Sequence, residues 1–199
     1  MILKNFIKGR EERNFFVWVD PNNFLVKHNI ESVGCFVSNC FPNNTEQLMF
    51  IPNPSFKGAV SPFQNNITKV LRAEYNLEIS RNYYFAGYPS RLEAIFLLPD
   101  EEEAHKYKKR YIEHVNNRIL KKVKTVGEYI CSFHDSSWID FLRLGHGMDE
   151  ESIHQATNMY WNGGCVRDNQ LSSCGKEWTE DPIIEILFLG RVDFYDKHL

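Results

Sequence analysis

The sequence predicts an α+β fold, and three observations carry that expectation. Stretches with strand character outnumber those with helical character, and the helices fall between strands without the strict alternation of a doubly wound parallel sheet. Asp181–Val192, DPIIEILFLGRV, reads as a strand opened by Pro182 and closed by Gly190, with apolar side chains on both faces. Such a strand is expected inside a sheet covered above and below. Finally, 43% apolar and 25% charged residues over 199 positions suit one globular domain, here the whole of 1–199, with enough chain to bury a core.

In chain order, Asn14–Asp20 is the first predicted strand, rich in aromatic and β-branched residues and stopped by the turn Pro21-Asn22-Asn23. Val33–Ser38 is the second. From Phe41 to Pro62 the prolines at 42, 52, 54 and 62, with asparagines between them, predict a long loop holding at most a short strand at Leu48–Ile51. A loop of that length is a lid, a binding loop or a surface excursion. Pro62–Tyr75 has helical spacing in Ile67, Val70 and Leu71, extended by Tyr75. Tyr88-Pro89-Ser90 makes a turn before a strand at Leu92–Leu98 that Pro99 closes. Asp100–Asn117 places acids first and bases later, the order that suits a helix dipole. Val126–Phe133 returns to strand, and Asp135 is placed to cap a short helix at Ser136–Leu142. Asp149–Tyr160 is a helix ended by Asn162-Gly163-Gly164, and Cys165–Thr179 is a polar loop leading to the last strand.

Charge and composition narrow the function classes. The net charge is −3 with basic residues scattered, so no strong duplex nucleic-acid binding is expected. The start, MILKNFIKGREERN, is too charged for a secretory signal, and no stretch approaches the roughly 20 apolar residues that span a bilayer. The expectation is a cytoplasmic protein, of a host cell if it is delivered there, with no membrane partner. Five cysteines with no CxxC pair read as reduced thiols. Zinc on Cys35, Cys40, Cys165 and Cys174 is conceivable, but neither spacing is a tight knuckle, and no metal is expected.

No P-loop, GxGxxG, GxSxG or HExxH is present. Candidate chemistry rests on the Ser-Arg turn at Ser90-Arg91, the dipeptide Tyr160-Trp161, and Glu185, the one acid on the face of the last strand shared by Ile183, Leu187 and Leu189. Glu185 either leans into solvent near the strand's start or is the acid of a site lined by apolar and aromatic groups. Arg91 can equally anchor a turn, Ser90 can be a turn residue, and Tyr160 and Trp161 can be core aromatics at a helix end. His134-Asp135 would act together only if the strand gave way to a loop, since adjacent strand residues point to opposite faces.

As an ordered set, YPSRLEAIFLLPDEEEA (88–104), IHQATNMYWNGG (153–164) and PIIEILFLGRV (182–192) resemble bacterial proteins of the ADP-ribosyltransferase-like family. The resemblance covers the second half of the chain. It implies a split, strongly bent, mostly antiparallel sheet with flanking helices and NAD held in a cleft as co-substrate. It also implies mono-ADP-ribosyl transfer to a protein or other macromolecular target by a bacterial or phage effector or toxin. Ser90 and Arg91 match the family's second motif, and Glu185 matches its late catalytic glutamate. The first strand departs from the family: Phe16-Val17-Trp18 stands where a His or Arg is looked for. Arg13 or Arg91 are the candidates to supply the missing positive group. Tyr160, Trp161 and Trp18 offer rings to stack on nicotinamide or adenine. The departure keeps open a catalytically silent nucleotide- or protein-binding module on the same fold, or an NAD glycohydrolase.

Overall fold

The computed structural model describes residues 5–38, 62–144, 150–169, 178–196 and 198. Its strands are β1 (Phe6–Gly9), β2 (Asn14–Val19), β3 (Cys35–Val37), β4 (Ile95–Leu97), β5 (Ile119–Asp135) and β6 (Ile184–Phe194). They form one six-stranded antiparallel sheet built around the long pair β5–β6. β1 and β2 pair with successive stretches of β5, whereas β3 and β4 pair with opposite ends of β6. Phe16 and Leu98 exchange two backbone hydrogen bonds of 3.0 and 2.8 Å, which link β2 to the end of β4. The pairings therefore run β2–β5–β6–β4 and back to β2, so the sheet curls onto itself.

The bend has a local cause. Val126 lies opposite Arg191 but Ile130 lies opposite Leu189, so three residues of β5 face Gly190 alone. Extra residues on one strand kink it and increase its twist. Gly190 has φ +151°, and a Cβ there would sit 2.9 Å from Tyr129 Cβ. The strand expected to close at Gly190 instead passes through it to Phe194, because glycine admits the bend without ending the ladder.

Both faces of β6 are covered, as its two-sided apolarity predicts. Ile186 and Phe188 pack inside the curled sheet with Phe15, Val17 and Val123. Leu187 faces the other way, into a second core with Leu77, Trp138, Tyr160 and Trp161. That second core is built by α2 (Pro62–Tyr84), α5 (Ser137–Leu144) and α6 (Glu150–Trp161). The remaining helices are α1 (Phe24–His28), which runs into a π turn at Asn29–Val33, α3 (Glu101–Arg110) and α4 (Ile112–Val115).

Several expectations need correction. The strand expected at Val126–Phe133 starts at Ile119, because its inward set is Lys121, Val123 and Thr125 and the lysine hides the alternation. Lys121 is buried only because its ammonium reaches the His198 carbonyl and Asp196. The strand expected at Leu92–Leu98 is confined to Ile95–Leu97. The helix expected over Asp100–Asn117 breaks at Tyr111, where φ −114° and ψ 45° leave the helical region. α2 runs on past Tyr75, and the stripe Val70, Leu71, Tyr75 lies on its exposed side. Its buried side is Ala73, Leu77 and Ser80, whose smaller members let α6 approach closely. β1 and α1 escaped the sequence pattern altogether. The long loop at 41–62, its Leu48–Ile51 strand, and the polar loop from 170 to 177 lie outside the described residues, except that Pro62 opens α2. No helix among the described residues is long and apolar enough to cross a membrane.

Candidate functional site

The site begins at the second residue of β6. Glu185 pairs across the ladder with His134 of β5, so both side chains emerge on the helical side of the sheet. α6 crosses above them. Its buried positions Ala156, Thr157, Tyr160 and Trp161 recur at i, i+4 spacing, which turns Tyr160 onto the sheet. Gly163, at φ +74°, ends the helix just beyond, and Gly164 N–H donates to the Met159 carbonyl at 2.9 Å.

The Tyr160 ring stacks on His134, with centroids 4.3 Å apart and planes at 18°. A carbonyl can only accept, so the 2.8 Å contact from His134 Nδ1 to the Tyr160 carbonyl places a proton on Nδ1. Nε2 then accepts from Ser132 Oγ at 2.7 Å. Burial, and to a smaller degree Arg91, drives the His134 pKa down to about 3, only partly opposed by its bond to the Tyr160 carbonyl. The imidazole is a neutral post that fixes both the backbone and the ring of Tyr160.

Arg91 arrives from the turn before β4 and meets the same spot. Its Nη1 donates to the Tyr160 hydroxyl at 2.6 Å and to Glu185 Oε1, and the Tyr160 hydroxyl in turn donates to Glu185 Oε1 at 2.9 Å. On its other side Arg91 Nε donates to Glu74 of α2 at 2.7 Å. Burial works against the Arg91 charge, but Glu185, Tyr160 and Glu74 hold its pKa well above the ordinary value. Burial raises the Glu185 pKa, and Arg91 and the Tyr160 hydroxyl offset part of that rise. Burial also lifts the Tyr160 pKa far up, so its hydroxyl stays a donor.

One oxygen of Glu185 is thereby held by two donors. Its other oxygen, Oε2, accepts no hydrogen bond among the described residues, and Glu185 lines two adjoining hollows of about 310 and 230 Å³. Arg91, Tyr107 and Arg118 line both as well. The larger hollow is walled by Trp18, Phe96, Leu98 and Val115, that is, by the outer side of β2–β4 and by α4. The smaller is polar, with Tyr111, His114, Ser136, Asp140 and Arg143 on its walls. α3 fixes the floor: Glu103 accepts from the Ile184 N–H at 2.9 Å, one residue before Glu185.

Of the residues singled out in the sequence, Glu185, Arg91 and Trp18 face this cleft, and Tyr160 touches its floor from behind. Trp18 is pinned by an Nε1 bond to the Ala104 carbonyl at 3.3 Å, with Lys108 Nζ 5.0 Å from its ring. Tyr160 and Trp161 are both fully buried, so neither presents a face for stacking; Trp161 donates to the Leu77 carbonyl at 2.9 Å. Ser90 is turned away from both hollows, because its hydroxyl donates to Glu78 at 3.0 Å and accepts from the Leu92 N–H. Arg91 is no surface anchor of a turn: it is 8% exposed and bound to carboxylates. Arg13 does not line either hollow. Asp135 caps α5 as expected, accepting from Ser137 N–H at 3.0 Å, and also ties down the Val166 and Ile183 N–H groups. Glu74, Tyr107, Arg118 and Ser136 were missed, since each reads locally as an ordinary helix or turn residue. Cys35 and Cys165 are buried free thiols, Cys40 and Cys174 lie outside the described residues, and no group of three metal-ligating side chains occurs among those described.

The profile of a family described as a protein of unknown function, DUF2441, matches residues 6–196. The chain belongs to this family. The DUF2441 description names no activity, and the chain matches no curated protein. The match begins at β1 and ends just after β6, so it takes in every strand and the whole cleft.

Proposed function

We propose that the chain is an NAD-dependent mono-ADP-ribosyltransferase that passes ADP-ribose to a macromolecular acceptor, a protein. The observation that carries this reading is the half-occupied carboxylate at the base of an aromatic cleft. Glu185 Oε1 is clamped by Arg91 and Tyr160, while Oε2 is left for a ligand. The three stretches on which the family resemblance rests, far apart in sequence, supply these three side chains.

Breaking the bond between nicotinamide nitrogen and ribose C1′ sends the bonding pair to nicotinamide and leaves positive charge on the sugar. A fixed carboxylate stabilises that charge, as in glycoside cleavage. The acceptor's nucleophile then bonds to C1′ and gives up its proton. Arg91 and Tyr160 act by orienting Glu185, because a carboxylate held by two donors cannot swing away. Trp18, Phe96 and Tyr107 offer surfaces for a flat ring and exclude the water that would divert the sugar cation.

The test is NAD with purified protein, following nicotinamide release and labelling of acceptor proteins. Glu185→Gln keeps an acceptor for Arg91 but loses the charge, and is expected to cut turnover at least about hundredfold with the fold intact. Undiminished labelling by that variant removes Glu185 from the mechanism. Nicotinamide release without any acceptor would mark a hydrolase instead. A second reading, a silent nucleotide- or protein-binding module, is favoured by one specific observation: Arg91 already spends its donors on Glu74, Glu185 and Tyr160, so the pair is satisfied without a ligand. Calorimetric binding of NAD with no turnover would select it.

A further inference from the structure

Two polar groups in the smaller hollow are left over by the network around Glu185. Arg118 is exposed, lines both hollows, and has no ion-pair or hydrogen-bond partner for its side chain among the described residues. The neighbouring arginines differ: Arg91 is bound by two carboxylates, and Arg143 lies 3.8 Å from Asp140 and 3.9 Å from Glu74. Arg118 is also held in place, its N–H donating to the Val115 carbonyl at 3.0 Å in the turn between α4 and β5. The second group is Ser136 Oγ. It belongs to a residue 4% exposed that lines the same hollow, and the Tyr111 oxygen is the acceptor within its reach. The Tyr111 hydroxyl beside it donates instead to Asp140, at 2.5 Å. A guanidinium without a carboxylate, with a serine on the wall of the same hollow, marks a place for an acceptor-rich anion.

We propose that the polar hollow binds a phosphate group, with the Arg118 guanidinium as its charge partner and the Ser136 hydroxyl as a second donor. Two acids line that hollow: Asp140 accepts from Tyr111 and faces Arg143, and Glu185 is neutralised by Arg91, so neither takes up Arg118. The assignment rests on the transferase reading for the natural ligand, where it places the diphosphate of NAD on Arg118 and leaves Arg91 to hold Glu185. The phosphate contact itself is independent of turnover.

Calorimetry with inorganic pyrophosphate, ADP and adenosine, on the wild type, Arg118→Gln and Ser136→Ala, tests it. Arg118→Gln is expected to weaken pyrophosphate and ADP about tenfold or more, and Ser136→Ala about threefold, with adenosine unaffected. Ser136→Ala removes a single hydroxyl from the wall, so the variant should stay folded and keeps the test informative if Arg118→Gln folds poorly. Pyrophosphate bound equally by all three proteins, or by none, overturns the proposal. Arg118-dependent pyrophosphate binding without nicotinamide release supports the phosphate site while refuting the transferase. NAD turnover that Arg118→Gln leaves with an unchanged KM overturns the phosphate site alone.

Discussion

His134 makes the protein acid-sensitive in a calculable way. Its ring is fully buried, donates to a carbonyl and is held neutral, with a pKa of about 3 against an ordinary 6.5. The unfolded chain takes up a proton below about pH 6.5 that the folded chain refuses until about pH 3. Stability from this group is therefore complete above about pH 6.5 and is lost progressively as pH falls from there to about 3. At pH 5 the gap of 1.5 units between pH and the unfolded pKa corresponds to about 2 kcal/mol. Urea denaturation at pH 7 and pH 5 reads this out, with His134→Asn as reference because an amide can still donate to the Tyr160 carbonyl and does not titrate. The wild type should lose about 2 kcal/mol more between the two pH values than the variant. The His134 proton resonances should also stay flat across pH 5–8. Equal losses in both proteins, or a midpoint near 6.5 for this ring, would refute the argument.

Two further outcomes follow from the packing. Arg91→Met strands buried Glu185 without its cation and leaves Glu74 only Arg143, 3.9 Å away, and should lower stability by about 3–5 kcal/mol, measured by urea denaturation at pH 7. Part of that loss should return near pH 4, where Glu185 can be neutralised. Gly163→Ala forces a side chain onto φ +74° with its Cβ 2.9 Å from Asn5 Cβ, and should cost more than about 1 kcal/mol in a thermal melt; an unchanged midpoint would show that α6 does not end as described.

Much of the framework was legible because it follows short-range periodicity. The two-sided apolarity of Ile183–Leu189 placed β6 inside a covered sheet, Asn162-Gly163-Gly164 marked the end of α6, and Asp135 stood where a cap belongs. Where local signals conflicted with tertiary needs they misled. Lys121 sits on an inward position because a distant carbonyl and carboxylate receive it, and the apolar stripe of α2 faces outward because Ala73 and Ser80 allow closer packing.

The residues at the heart of the site, Arg91, Tyr160 and Glu185, could be picked out by type and order, since a glutamate in an apolar strand must find a partner somewhere. Their division of labour could not. Whether Tyr160 offers its ring or its hydroxyl depends on His134 lying beneath it, and whether Arg91 is free depends on Glu74, seventeen residues away on α2. Charge pairing of that kind is set by three-dimensional distance and by exclusion of water, and neither is written in the spacing of a chain.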